Sequence, residues 1–173
     1  WEPETRFRIW FEIEAHAAAA MAEMGVIPQH AAKAVWDKGR KAKFDIARIE
    51  EIEQTTHHDV IAFTTAVAEH VGEAARYLHY GLTSSDVVDT ALALQLRAAG
   101  ERLLAGADRL TIVLIARARA EAGTVMMGRT HSVHAEPTTL GLKLAGWAFE
   151  LARGRERLAR AVDEIGTGKV SGP

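Results

Sequence analysis

The chain of 173 residues is 48% apolar, carries 21 basic and 23 acidic side chains for a formal charge of −2, and contains no cysteine. Such a chain can bury a sizeable core without covalent staples, which excludes a disordered, collagenous or disulfide-framed protein. The near-neutral balance argues against nucleic acid or an anionic membrane as partner, because either calls for a basic excess.

Alanine and leucine dominate the apolar content, the aromatic share is 6%, and no period-2 alternation is sustained, so helix is expected throughout. Pro3 opens a first amphipathic helix over residues 6–24, with Phe7, Trp10, Phe11, Glu14 and Ala18 at steps of three and four before Gly25 stops it. Pro28 opens a shorter helix over residues 30–38, closed by Gly39. A third runs from an Asp45 N-cap to Gln54 with Ile46, Ile49 and Ile52 inward. After Thr55-Thr56-His57-His58, Asp59 is expected to cap a fourth helix through Val60, Phe63, Val67 and Val71, which Gly72 weakens.

Thr83-Ser84-Ser85-Asp86 is a dense run of N-cap residues, and no proline or turn cluster follows it until Gly123-Thr124. A long helix is therefore expected, with Leu92, Leu96, Ala99, Leu103, Ala107, Leu110 and Leu114 alternating steps of four and three as a packing seam. A connection through Val125 to His131 leads to a second long helix from about Pro137, whose seam is Leu140, Leu144, Trp147, Leu151, Leu158, Val162 and Ile165. Two such helices expose too much apolar edge to stand alone. The expected fold is all-α: a small helical domain over residues 1–84, then an incomplete bundle domain over residues 85–173. A start on Trp1 and a loop-like Gly166–Pro173 stretch read as a piece of a longer chain. No signal peptide is visible and no apolar run approaches the roughly 20 residues that span a bilayer, so a soluble, cytoplasmic protein is expected.

Three segments place titratable groups where helix packing does not require them. His57-His58-Asp59 is accounted for by a helix cap; a metal site there lacks a ligand one helical turn on. His79 to Asp86 sets Thr83, Ser84 and Ser85 at the positive end of a long helix, which serves a cap or an anion site equally. Gly128 to Pro137 combines Arg129, Thr130, His131 and His134, and histidine is the side chain best suited to proton transfer near neutral pH. The spacing of His131 and His134 also suits metal ligation, but no third ligand is in view. Gly166-Thr167-Gly168-Lys169 follows a helix rather than a strand, which makes it a poor phosphate loop. The chemistry on offer is proton transfer and anion binding.

The runs from His58 to Phe63, His79 to Thr90 and Met127 to Thr139 together resemble the bacterial type of adenylosuccinate lyase, a branch of the fumarase/aspartase superfamily. The resemblance implies a helical homotetramer with active sites shared between subunits. It implies β-elimination of fumarate from a nucleotide dicarboxylate without a cofactor. By that resemblance His131 is the catalytic acid/base and His58 supports it, while His57, His58, Asp59, His79, Thr83, Ser84 and Thr130 contact substrate. His57 stands where many relatives have arginine, and Ser132 where glycine is common. The family's base is a serine on a mobile loop whose signature this sequence does not contain. The alternatives are another lyase of the superfamily, such as one acting on argininosuccinate, or a non-catalytic helical oligomerisation module.

Overall fold

The structure, a computed structural model, describes residues 1–172. Its elements are α1 (Pro3–Glu23), α2 (Gln29–Gly39), α3 (Ile46–Thr56), α4 (Asp59–Val71), a 3-10 segment (Gly72–Tyr77), α5 (Ser84–Ala120), β1 (Val125–Thr130), β2 (Val133–Thr139) and α6 (Leu140–Ile165). The predominantly helical fold agrees with the alanine- and leucine-rich composition. One small hairpin is added to it.

Two compact units divide the chain, one made of residues 1–95 with the segment from 167 onward, the other of residues 96–166. In the first, the apolar stripe of α1 buries Phe7, Trp10 and Phe11 against Val60, Phe63 and Val67 of α4 and Val35 of α2. The rings pack as aromatic pairs prefer: Phe7 lies stacked on Phe63 at 5.5 Å, and Trp10 meets the same ring edge-on at 5.5 Å. Burying a ring of this size is worth about 2–3 kcal/mol. Gly39, the last residue of α2, has no room for a side chain, since a Cβ there would sit 2.1 Å from Cε2 of Phe11. Arg8 closes that helix end, donating to the carbonyls of Gly39, Arg40 and Ala42 while its guanidinium covers the ring of Phe44.

Asp45 caps α3 as expected, accepting from the N–H groups of Ala47 and Arg48. The cap of α4 differs. His58, not Asp59, is its N-cap, and Nδ1 accepts from the Ile61 N–H at 3.4 Å, while Asp59 becomes the first helical residue. The first turns of α5 belong to the same core through Val87 and Ala91, both fully buried.

In the second unit, α5 and α6 pack closely: a Cβ on Gly100 would meet Cγ2 of Val162 at 2.2 Å. Arg155 clasps Asp108 with two hydrogen bonds. Much of the expected seam lies open in this chain, with Leu103 62%, Leu110 50% and Trp147 50% exposed. The connection between the helices is an antiparallel hairpin, paired from Val125 with Thr139 to Thr130 with Val133. Its register shifts between Met127 and Arg129, where the backbone carbonyl of Glu136 approaches so closely that a Cβ on Gly128 would lie 2.6 Å from it. α6 therefore begins at Leu140, not near Pro137. Pro137 lies in β2, where a two-stranded edge tolerates its missing donor, and Thr139 caps the helix by accepting from the Leu142 N–H.

Candidate active site

Positive φ in a residue other than glycine is uncommon and concentrates at functional sites. Among the described residues four show it: His57, His79, His131 and Ser132. Three of these are candidates that the sequence singled out, and the fourth adjoins one of them.

In the first unit the site grows from two helix starts. His58 sits at the mouth of α4, and because its Nδ1 accepts from Ile61, the neutral ring carries its proton on Nε2. That nitrogen lies 3.1 Å from Oγ of Ser84, at the mouth of α5, so the imidazole donates to the hydroxyl. His58 and Ser84, 26 residues apart in sequence, are thus brought together by the two caps. Asp59 is exposed and accepts from the Val60 N–H, while His57 ends α3 in the left-handed conformation with its N–H on the Glu53 carbonyl. Neither turns away from solvent.

At the start of α5, Asp86 accepts from the Thr83 N–H at 3.0 Å, one half of a capping box. Asp86 is also fully buried, and the backbone N–H groups of Ser171 and Gly172 converge on its two oxygens at 2.9 and 3.1 Å. The Thr83 N–H is the strongest of the influences that hold this carboxyl far below the ordinary carboxylate range, with Ser171, Gly172 and the Lys169 ammonium adding to it against the cost of burial. Lys169 reaches Oγ of Ser85 at 2.6 Å, and its backbone exchanges two hydrogen bonds with Thr90. The helix start expected to receive an external anion therefore already holds a carboxylate of its own, and Ser85 is engaged by a cation. Of the three hydroxyls, Ser84 is the one tied to a histidine.

His79 lies beside this cluster in the same unit. Its backbone N–H and its Nδ1 both meet the carboxylate of Glu14, each at 2.6 Å. The Glu14 hydrogen bond raises the pKa of the ring above its ordinary value, with the charges of Glu14 and Asp86 adding to it and burial opposing.

Thr130 and His131 belong to the second unit. His131 and Ser132 are the two loop residues between the paired Thr130 and Val133, and positive φ at both marks a type I′ hairpin turn. The backbone thus projects His131, exposed, from the tip of a short rigid ribbon. Among the described residues no three His, Asp or Glu side chains gather as a metal ion would require.

Sequence reasoning placed Glu14 on the inward stripe of α1 without asking why an acid stands there, and it missed the roles of Asp86 and Lys169. The signal for Glu14 was present: a carboxylate in register with Phe7, Trp10, Phe11 and Ala18 needs a buried partner. Lys169 gave no such signal, because its partners are some 80 residues away.

In the first unit two helix starts bring His58 and Ser84 together beside His79, and in the second a hairpin tip carries His131, on a predominantly helical fold. The chain belongs to the Lyase family, whose sequence profile matches residues 2–173. It is 51% identical over 172 residues to the adenylosuccinate lyase of Bacillus subtilis (strain 168), covering 99% of this chain and 39% of that protein. The adenylosuccinate lyase of Synechocystis sp. is 48% identical over the same length and share. Among solved structures, the fumarate lyase from Mesorhizobium sp. BNC1 superposes with a TM-score of 0.92 at 30% identity, over 99% of this chain and 41% of that one. The 3-carboxy-cis,cis-muconate lactonizing enzyme from Pseudomonas putida gives 0.90 at 33%, over 99% and 40%. The chain thus spans about two fifths of the length of the relatives it matches.

Proposed function

We propose that the full-length protein containing this chain is an adenylosuccinate lyase of purine nucleotide biosynthesis. It releases fumarate by β-elimination, from adenylosuccinate to leave AMP and from succinyl-aminoimidazole-carboxamide ribotide to leave the carboxamide ribotide. The observation that carries this reading is the 51% identity with the Bacillus subtilis enzyme over 99% of the chain.

Elimination needs a base on the carbon-bound proton, an acid on the departing nitrogen, and donors for the charge that develops on the neighbouring carboxylate. As the base takes the proton, the C–H electron pair becomes the double bond of fumarate. The C–N pair leaves on nitrogen, which takes its proton from His131. The turn that holds His131 at positive φ supports this role, because it fixes the ring's base without burying the ring. Ser84, oriented by the His58 imidazole, and His79, biased toward its cationic form, supply donors for the succinyl carboxylates. Thr83, Thr130, His57 and Asp59 complete the substrate contacts. The base is a serine outside these residues, and no cofactor takes part.

The protein assembles as a homotetramer with shared active sites in the cytoplasm; the open apolar faces of α5 and α6 support burial against further helices. The test is fumarate release from adenylosuccinate by the full-length protein and by the 173-residue chain. The full-length protein is expected to be active and the chain alone inactive. Turnover by the isolated chain would overturn the assignment of the base, and a full-length protein that left adenylosuccinate intact would overturn the lyase reading.

A further inference from the structure

We propose that Glu14 is a positioning residue for His79: it grips the backbone N–H and the ring Nδ1 of that histidine together, holds a proton on Nδ1, and leaves Nε2 as the ring nitrogen that meets substrate. The functional part of this statement rests on the lyase reading, whereas the proton placement does not.

The Glu14 side chain is 1% exposed and lies mid-helix on the most apolar face of α1. Helix packing gains nothing from an acid there, and a buried carboxylate is tolerated only when both oxygens are paired. Both are, and both partners belong to one residue 65 positions away: Oε2 accepts from the His79 N–H and Oε1 faces Nδ1, each at 2.6 Å. The pair together fixes the backbone of His79, held at φ 58, and the rotation of its ring. A carboxylate has no proton to give, so the proton of the short contact resides on Nδ1. The charged groups acting on the ring from neighbouring elements are Glu14 of α1 and Asp86 of α5, the latter itself paired with Lys169. His79 is 16% exposed, enough for one edge of the ring to meet a ligand.

Glu14→Gln separates this role from packing. The amide keeps the shape and can still accept the His79 N–H through its oxygen, but its NH2 then faces Nδ1 and forces that nitrogen to accept. The experiment is solid-state 15N NMR of sedimented full-length protein carrying ring-labelled histidine, with His79→Gln assigning the signal, alongside fumarate-release kinetics. In the wild type, Nδ1 of His79 is expected to stay protonated through neutral and mildly alkaline pH. In Glu14→Gln the proton is expected on Nε2, with kcat/KM reduced on the order of ten- to a hundredfold, and Glu14→Asp restoring part of the loss. An unprotonated Nδ1 in the wild type overturns the proposal, and this measurement stands even if Glu14→Gln fails to fold. Unchanged His79 signals in Glu14→Gln overturn it too, as do unchanged kcat and KM in a protein whose wild type is active. A wild type that releases no fumarate contradicts the lyase reading instead, and the Nδ1 signal then decides the role of Glu14 by itself.

Discussion

Replacing Ser132 tests whether the hairpin turn is what presents His131. Ser132 stands at φ 65 and His131 at φ 47, so both central residues of the turn are in the left-handed region. An L-residue there costs roughly 1–2 kcal/mol, and glycine removes that cost while adding roughly 0.5–1 kcal/mol of chain entropy to the unfolded state. Ser132→Gly should therefore stabilise the hairpin by roughly 0.5–1 kcal/mol, which slows amide exchange across residues 125–139 about two- to fivefold. Proline locks φ near −65°, roughly 130° from the observed value, and cannot close this turn. Ser132→Pro should abolish exchange protection in β1 and β2, leave the first unit folded, and reduce fumarate release as far as loss of His131 does. The assay is hydrogen exchange by mass spectrometry on the full-length protein, paired with turnover. Faster exchange in Ser132→Gly, or a proline variant with normal protection and turnover, would refute the reasoning.

Phe63→Ala removes the ring on which Phe7, Trp10 and Phe44 all pack. It should cost about 3–5 kcal/mol, read as a lowered urea midpoint, and a cost under about 1 kcal/mol would contradict the core described. The raised pKa of His79 contributes stability that is complete below its ordinary value of 6.5 and is lost as pH rises through the folded value. Unfolding measured across that range should show this decline, and Glu14→Gln should flatten it. Asp86 works in the opposite sense: its contribution is present above 3.8 and disappears as pH falls through the depressed folded value. Lys169→Met weakens that depression, so the acid-unfolding midpoint should move to higher pH; an unmoved midpoint would deny Lys169 this role.

The helices were legible because their signals are local. Asp45, Pro3 and the run from Thr83 to Asp86 mark starts within a few residues, and the inward stripe of α1 repeats at helical spacing. The hairpin was not legible, because its turn is built from His131 and Ser132 rather than the usual asparagine and glycine, and a bulge at Gly128 breaks its alternation. That also moved the start of α6, since Pro137 reads as a helix opener when no strand is foreseen. The cap of α4 passed to His58 because an imidazole nitrogen can accept like a carboxylate, a choice that sequence alone does not rank above Asp59. The sequence marks His58, His79, Ser84 and His131 as candidates one by one, while the linkages of His58 to Ser84 and of His79 to Glu14 join positions 26 and 65 apart that only the fold brings together.

The most direct test of the central claim is fumarate release from adenylosuccinate by full-length protein carrying His131→Ala, with size-exclusion chromatography and circular dichroism confirming an unchanged fold. The account predicts a folded protein of unaltered assembly whose turnover falls by about two orders of magnitude or more, the scale of a lost general acid. Turnover equal to that of the wild type would contradict it.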